Sequence, residues 1–111
     1  MSVLMMRRRG LLGAFRADGK LPVITSQPVS VSVENGTYAT FSVTATGSDL
    51  SYQWQYRRIN ETGWSDWTGK TTNSIRFRGV ATNNGNQYRC VVSNADGSVV
   101  SDPATLTVIG E

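Results

Sequence analysis

Residues 86–98 read NQYRCVVSNADGS. Tyr88, Cys90 and Val92 occupy alternate positions, with Arg89 and Val91 between them. A repeat of two is the period of a β-strand, whose successive side chains point to opposite faces. Tyr88, Cys90 and Val92 are therefore expected to form one buried row. Asp96-Gly97 follows, between Ser93-Asn94 and Ser98-Val99-Val100, and both turn residues tolerate positive φ. The stretch thus predicts a strand, a tight hairpin and a second strand.

The same period extends outward in both directions. Tyr52, Trp54 and Tyr56 alternate with Gln53 and Gln55. Ala39, Phe41, Val43 and Ala45 alternate with Thr40, Ser42, Thr44 and Thr46, so one face is buried and the other wet. Val29, Val31 and Val33 alternate before the Asn35-Gly36 turn, and Ile75 and Phe77 oppose Arg76 and Arg78. Asn83-Asn84-Gly85-Asn86 reads as a loop. After Pro103, Ala104, Leu106 and Val108 form the last strand. About eight short strands with turn signals between them predict an all-β sandwich.

Length and composition narrow the function. A chain of 111 residues with 39% hydrophobic content supports one small core. It has one cysteine, which excludes an intramolecular disulfide, and no histidine, the commonest general base and metal ligand. No nucleophile has a plausible base, and no paired carboxylates, phosphate-binding glycine loop or metal-ligand cluster is visible. Glu61 and Asp66 read as solvated charges. The expectation is a non-enzyme without cofactor or metal. No apolar run is long enough to span a membrane.

Four segments carry a resemblance. ATFSVTATG (39–47), LSYQWQ (50–55), NQYRCVVSNADGS (86–98) and SVVSDPATLTV (98–108) resemble the strands of an immunoglobulin-like domain of the intermediate type, over residues 22–109. The resemblance implies a Greek-key β-sandwich. In it Trp54 is the core tryptophan, and Tyr88 sets its ring in the core and its hydroxyl on a backbone group of the preceding loop. Val43 stands where the family often has the first cysteine, so Cys90 faces a valine as a buried, inert thiol. Val43, Trp54, Tyr88 and Cys90 are structural residues in this reading. The missing bridge and the Tyr-Gln-Trp-Gln-Tyr strand resemble the bacterial and tailed-bacteriophage branch of the family. Its members decorate virions or bacterial surfaces.

Residues 1–21 are expected to form a separate, extended N-terminal arm. Residues 1–20 carry five basic residues against Asp18, a charge of +4, whereas residues 21–111 carry −1. The apolar run Gly10–Phe15 is shorter than an export core of about 7–15 residues, so the arm is expected to be retained. Arg7, Arg8 and Arg9 lie among Met5, Met6, Leu11, Leu12 and Phe15. That mixture of charge and apolar anchors suits a peptide that docks on a capsid or tail protein. A solvated tail and salt-sensitive contact with a polyanion are the other readings, and nucleic acid is not the expected partner.

Trp64 and Trp67 are the second candidate. Exposed aromatics can stack on sugar rings; alternatively, both tryptophans cover a sheet edge or fill the periphery of the core. Arg57, Arg58, Arg76 and Arg78 read as ordinary solubilising charge. Two functions follow as expectations. The first is a virion-surface accessory protein, attached to capsid or tail proteins through its arm. The second is a bacterial surface-type module that binds a host glycan or protein on the sandwich.

Overall fold

The computed structural model describes residues 19–110. It contains ten strands and one short 3-10 helix in a two-layered β-sandwich. In chain order the strands are β1 (Val23–Ser26), β2 (Val31–Glu34), β3 (Tyr38–Ser42), β4 (Thr44–Thr46), β5 (Ser51–Arg57), β6 (Ser65–Asp66), β7 (Ser74–Arg78), β8 (Gln87–Asn94), β9 (Gly97–Val100) and β10 (Ala104–Ile109). One sheet runs β2-β10-β8-β5-β6, with β9 paired to β8. The opposite layer is made of the pairs β1-β4 and β3-β7.

The first strand is divided because a proline interrupts it. Pro28 is buried and has no N–H to give to a ladder, so β1 ends and the chain crosses to the other sheet. The crossing is held by side chains. The Asp102 N–H donates to Gln27 Oε1 (2.8 Å) and the Thr105 N–H to Ser30 Oγ (2.9 Å). β2 then pairs in parallel with β10, Val31 opposite Leu106. Val29, expected on the buried row, lies in this crossing and is 73% exposed.

The eight-residue alternation from Ala39 keeps its faces, with Ala39, Phe41 and Val43 buried. It divides at Val43, where the strand changes partner. β3 pairs with β7, Val43 N–H donates to the Asn73 carbonyl (2.9 Å), and β4 then pairs with β1.

One further expectation is corrected. The turn of the β8–β9 hairpin is Ala95-Asp96, since Gly97 already pairs with Asn94. Only Gly97 of the two expected turn residues has positive φ, and the Asn94 side chain accepts from the Asp96 N–H (2.9 Å), which fixes the turn. The Asn83–Asn86 loop is entered through a 3-10 turn over Ala81–Asn83.

The core is Ala39, Phe41, Val43, Trp54, Ile75, Tyr88, Cys90, Val92, Ala104 and Leu106. Trp54 and Cys90 are directly opposite on β5 and β8, and both are fully buried. The indole N–H of Trp54 donates to the Thr72 carbonyl (2.8 Å), which satisfies its one polar atom. The layers come very close at Gly79, where a Cβ would stand 2.5 Å from Val33 Cγ2.

Candidate functional site

Met5, Met6, Arg7, Arg8, Arg9, Leu11, Leu12 and Phe15 lie outside the described residues. The remaining candidates are placed by the register of β5, β6 and β8. Gln55 is opposite Arg89 and Asp66, and Tyr56 is opposite Tyr88 and Ser65. Tyr56 and Tyr88 point between the sheets, and Gln55, Arg57 and Arg89 point away from them. Trp64 and Trp67 flank the two-residue strand β6 and end up on opposite faces of this sheet. They do not form a shared platform.

Trp67 is half-buried and turned inward. Its ring lies 5.1 Å from Phe77, 5.8 Å from Tyr88 and 6.2 Å from Tyr56, centroid to centroid. Phe77 lies 5.1 Å from Tyr88 and Phe41 5.2 Å from it, so the aromatic cluster is continuous with the core. Backbone bonds fix Trp67: its N–H donates to the Trp54 carbonyl (2.9 Å), and its own carbonyl accepts from Gln53 Nε2 (2.9 Å).

The cluster reaches the surface in a cleft of about 340 Å³ between β5 and β7. Tyr56, Trp67, Phe77 and Tyr88 line it with Arg58, Arg78, Asn83 and Asn86. The cleft is open because no strand lies between β6 and β7 in the described chain. Asn86 anchors one wall. It is 5% exposed, and its Oδ1 accepts from the Ile59 N–H (3.1 Å) while its carbonyl accepts from the Leu106 N–H (2.9 Å). Gly85 next to it has φ +87°, and a Cβ there would meet Ile59 Cδ1 at 2.5 Å, so a larger residue would strain this wall.

The expected core role of the Tyr88 ring is met, at 3% exposure. Its hydroxyl interacts with the Asn86 side chain two residues upstream. Burial raises the Tyr88 phenol above its ordinary value, with the Asn86 bond and the nearby Arg58 charge acting against that rise. The phenol therefore stays neutral at physiological pH. Arg58 is held at the rim. Its guanidinium lies 4.8 Å over the Tyr56 ring and 3.3 Å from Glu61.

Trp64 faces the other way, on the outer side of the sheet. The Arg89 guanidinium lies over its ring at 4.3 Å from the centroid and that of Arg57 at 5.4 Å. Arg76 and Arg78 are on the outer face of the opposite layer, stacked on Tyr38 at 3.9 and 4.7 Å. The four arginines read together in the sequence are thus spread over three surfaces.

Cys90 and Val43 sit in the common core, 0% and 1% exposed. Burial pushes the Cys90 thiol up to about 11, so it carries almost no thiolate at neutral pH.

Sequence reasoning missed Tyr56, Phe77, Asn83 and Asn86 as a group. Their signal was parity: Tyr56 continues the inward row of Trp54, and Phe77 that of Ile75. No spacing rule announces that two such rows converge at an open edge.

Comparison with known proteins agrees with this architecture. A stretch of 88 residues, 78% of this chain, is 41% identical to part of Endoglucanase C of Cellulomonas fimi. The chain spans only 8% of the length of that protein. Among solved structures, tandem Ig repeats of Dlar superpose with a TM-score of 0.65 at 21% identity, covering 84% of this chain and 50% of theirs. An I-band fragment of titin gives 0.61 at 25% identity, covering 78% of this chain and 32% of the fragment. The family described as immunoglobulin domain matches residues 22–94, and the chain belongs to that family.

Proposed function

We propose that this chain is a non-catalytic binding module that holds a glucan-type saccharide in the cleft between its sheets. The cleft itself carries the proposal. Four aromatic side chains form its floor, and Arg58 and Asn83 stand at its rim, while the Arg78 guanidinium is turned to Tyr38 and the Gly36 carbonyl. Aromatic faces pack against the C–H faces of a pyranose ring, and amides and guanidiniums bond its hydroxyls. A volume of about 340 Å³ is at the small end of ligand sites, which suits one or two sugar units. The likeness to a segment of a much longer protein named an endoglucanase supports a saccharide as the ligand class.

The non-catalytic half rests on the chemistry of the side chains. The chain has no histidine, and Cys90 is buried and protonated. The exposed carboxylates Glu61 and Asp66 are bonded to Arg58 and Gln55. Attachment to a virion through Met5–Phe15 rests on residues outside those described, and no part of this proposal uses it.

Calorimetric titration of the full chain with a linear β-1,4-glucan hexasaccharide tests the reading. The expected result is measurable binding that Asn83→Ala weakens about two- to tenfold, the value of one hydrogen bond. No binding heat at about millimolar ligand would overturn it.

A further inference from the structure

The outer face of β5, β6 and β8 carries an ordered set of polar side chains that the cleft does not use. Gln87 Nε2 donates to Thr105 Oγ1 (3.3 Å), and Arg57 Nη2 donates to Gln87 Oε1. In the next row Arg89 Nε donates to Gln55 Oε1 (2.7 Å), and Gln55 Nε2 donates to Asp66 Oδ1 (2.9 Å). Trp64 joins the rows, since both guanidiniums lie over its ring.

This arrangement leaves positive charge without a matching anion. Among the described residues the one ion pair is Arg58–Glu61, at the cleft rim. Arg57 and Arg89 instead bond neutral amide oxygens, and the single carboxylate of the face, Asp66, is bonded to Gln55. The two cations repel each other: the charge of Arg57, after desolvation, pulls Arg89 below its ordinary value, though it remains a cation at neutral pH. Each guanidinium has five N–H donors in a rigid fork. One donor of each is engaged by a glutamine and both guanidiniums are held over one indole ring, so each keeps further donors for an oxyanion.

We infer that this face binds the oxyanion of an acidic saccharide, a carboxylate or sulfate ester, through Arg57 and Arg89. The inference rests on the saccharide reading of the cleft, and the chain geometry connects the two sites. Arg57 and Arg58 are consecutive at the end of β5; Arg57 belongs to the outer face and Arg58 to the cleft rim. A sugar chain leaving the cleft over this end of the sheet reaches the Arg57–Arg89 pair next. The aromatic cleft holds a sugar ring, and the outer face selects chains whose neighbouring unit carries a negative charge.

The test compares three hexasaccharides on one β-1,4 backbone: neutral, 6-carboxylated and 6-sulfated. Each is titrated against the full chain, against Arg57→Gln/Arg89→Gln, and against Asn83→Ala. Arg7–Arg9 are present in all three proteins, so any acid preference they add is common to all, and the change in preference between proteins reports Arg57 and Arg89. We expect the acidic oligomers to bind about tenfold more tightly than the neutral one, about 1.4 kcal/mol. The double variant should lose most of that preference, keep its affinity for the neutral oligomer and keep a cooperative thermal transition. The preference should also shrink from about 0.1 M to about 1 M salt, as the Debye length falls from about 10 Å to about 3 Å. Whether the carboxylated or the sulfated oligomer gives the larger effect identifies the source of the oxyanion. Equal affinity for all three oligomers, or a preference that the double substitution leaves undiminished, overturns the inference and leaves the cleft reading standing. Acid-selective binding that is lost in the double variant but untouched by Asn83→Ala supports the outer face and removes the cleft.

Discussion

Replacing Val43 with cysteine should join the two sheets. Val43 lies at the break between β3 and β4, and Cys90 at the centre of β8, in opposite layers of one core, 1% and 0% exposed. A bridge between the introduced cysteine and Cys90 closes a loop of about 48 residues, and the chain-entropy relation gives about 4 kcal/mol at 25 °C. Engineered bridges commonly deliver less because they strain the native state, so at least about 2 kcal/mol is expected. For a domain of this size that is a rise of roughly 10 °C in Tm. In the reduced variant the smaller side chain should cost about 1 kcal/mol, as in other losses of a buried methyl group. The comparison is therefore oxidised against reduced Val43→Cys. The Cys90 thiol, held at about 11 by burial, is a poor partner for exchange in the folded chain, so oxidation is carried out during refolding. Guanidinium unfolding followed by tryptophan fluorescence gives the free energies, and intact mass gives the redox state. Two free thiols after oxidative refolding, or a bridged protein less stable than its reduced form, would refute the facing of Val43 and Cys90.

Other consequences follow from single contacts. Ser101 is 5% exposed; its hydroxyl accepts from the Cys90 N–H (2.8 Å) and donates to the Asp102 carbonyl (3.0 Å). Ser101→Ala leaves a buried N–H unpaired and should lower unfolding free energy by about 1–3 kcal/mol, read from urea denaturation. Gly79→Ala sets a Cβ 2.5 Å from Val33 Cγ2 and should cost about 1–3 kcal/mol by overpacking, with Gly63→Ala, open within 4 Å, as the unaffected control in thermal melts. Alkaline pH should act through Cys90. Its folded pKa of about 11 lies above the ordinary thiol value of 9.0, so the unfolded chain releases the proton first. That contribution to stability is complete below about pH 9 and is lost as pH rises through about 11, and Cys90→Ala should flatten this part of the pH–stability curve. In the same window the native thiol should resist alkylation until the protein is unfolded.

Most of the sandwich was legible because its strands obey a period of two. Tyr88, Cys90 and Val92 are all buried, as are Trp54, Ile75 and Phe41, and each was on an inward position of a visible alternation. Val29 failed the same test because the alternation says nothing about where a proline turns the chain out of one sheet and into another. Asp96-Gly97 carries the composition of a two-residue turn, but the pairing of Gly97 with Asn94 moves the turn one residue back. The tryptophans show a limit of a different kind. Their spacing in Trp64-Ser65-Asp66-Trp67 gave no reason to separate them, yet Trp67 joins the cleft and Trp64 the outer face. Their surroundings come from β5, β7 and β8, at sequence distances that no local pattern spans.

The three tryptophans are reporters for the three environments on which the binding account depends. Trp54 is sealed in the core, Trp67 floors the cleft and Trp64 lies under Arg57 and Arg89. Their indole N–H resonances, followed during titration of the full chain with the neutral β-1,4-glucan hexasaccharide, test the central claim most directly. Saturable movement of the Trp67 signal, with Trp54 unmoved, is the predicted result. A Trp67 signal that stays in place while the oligosaccharide binds, or no movement of any indole signal, would contradict it.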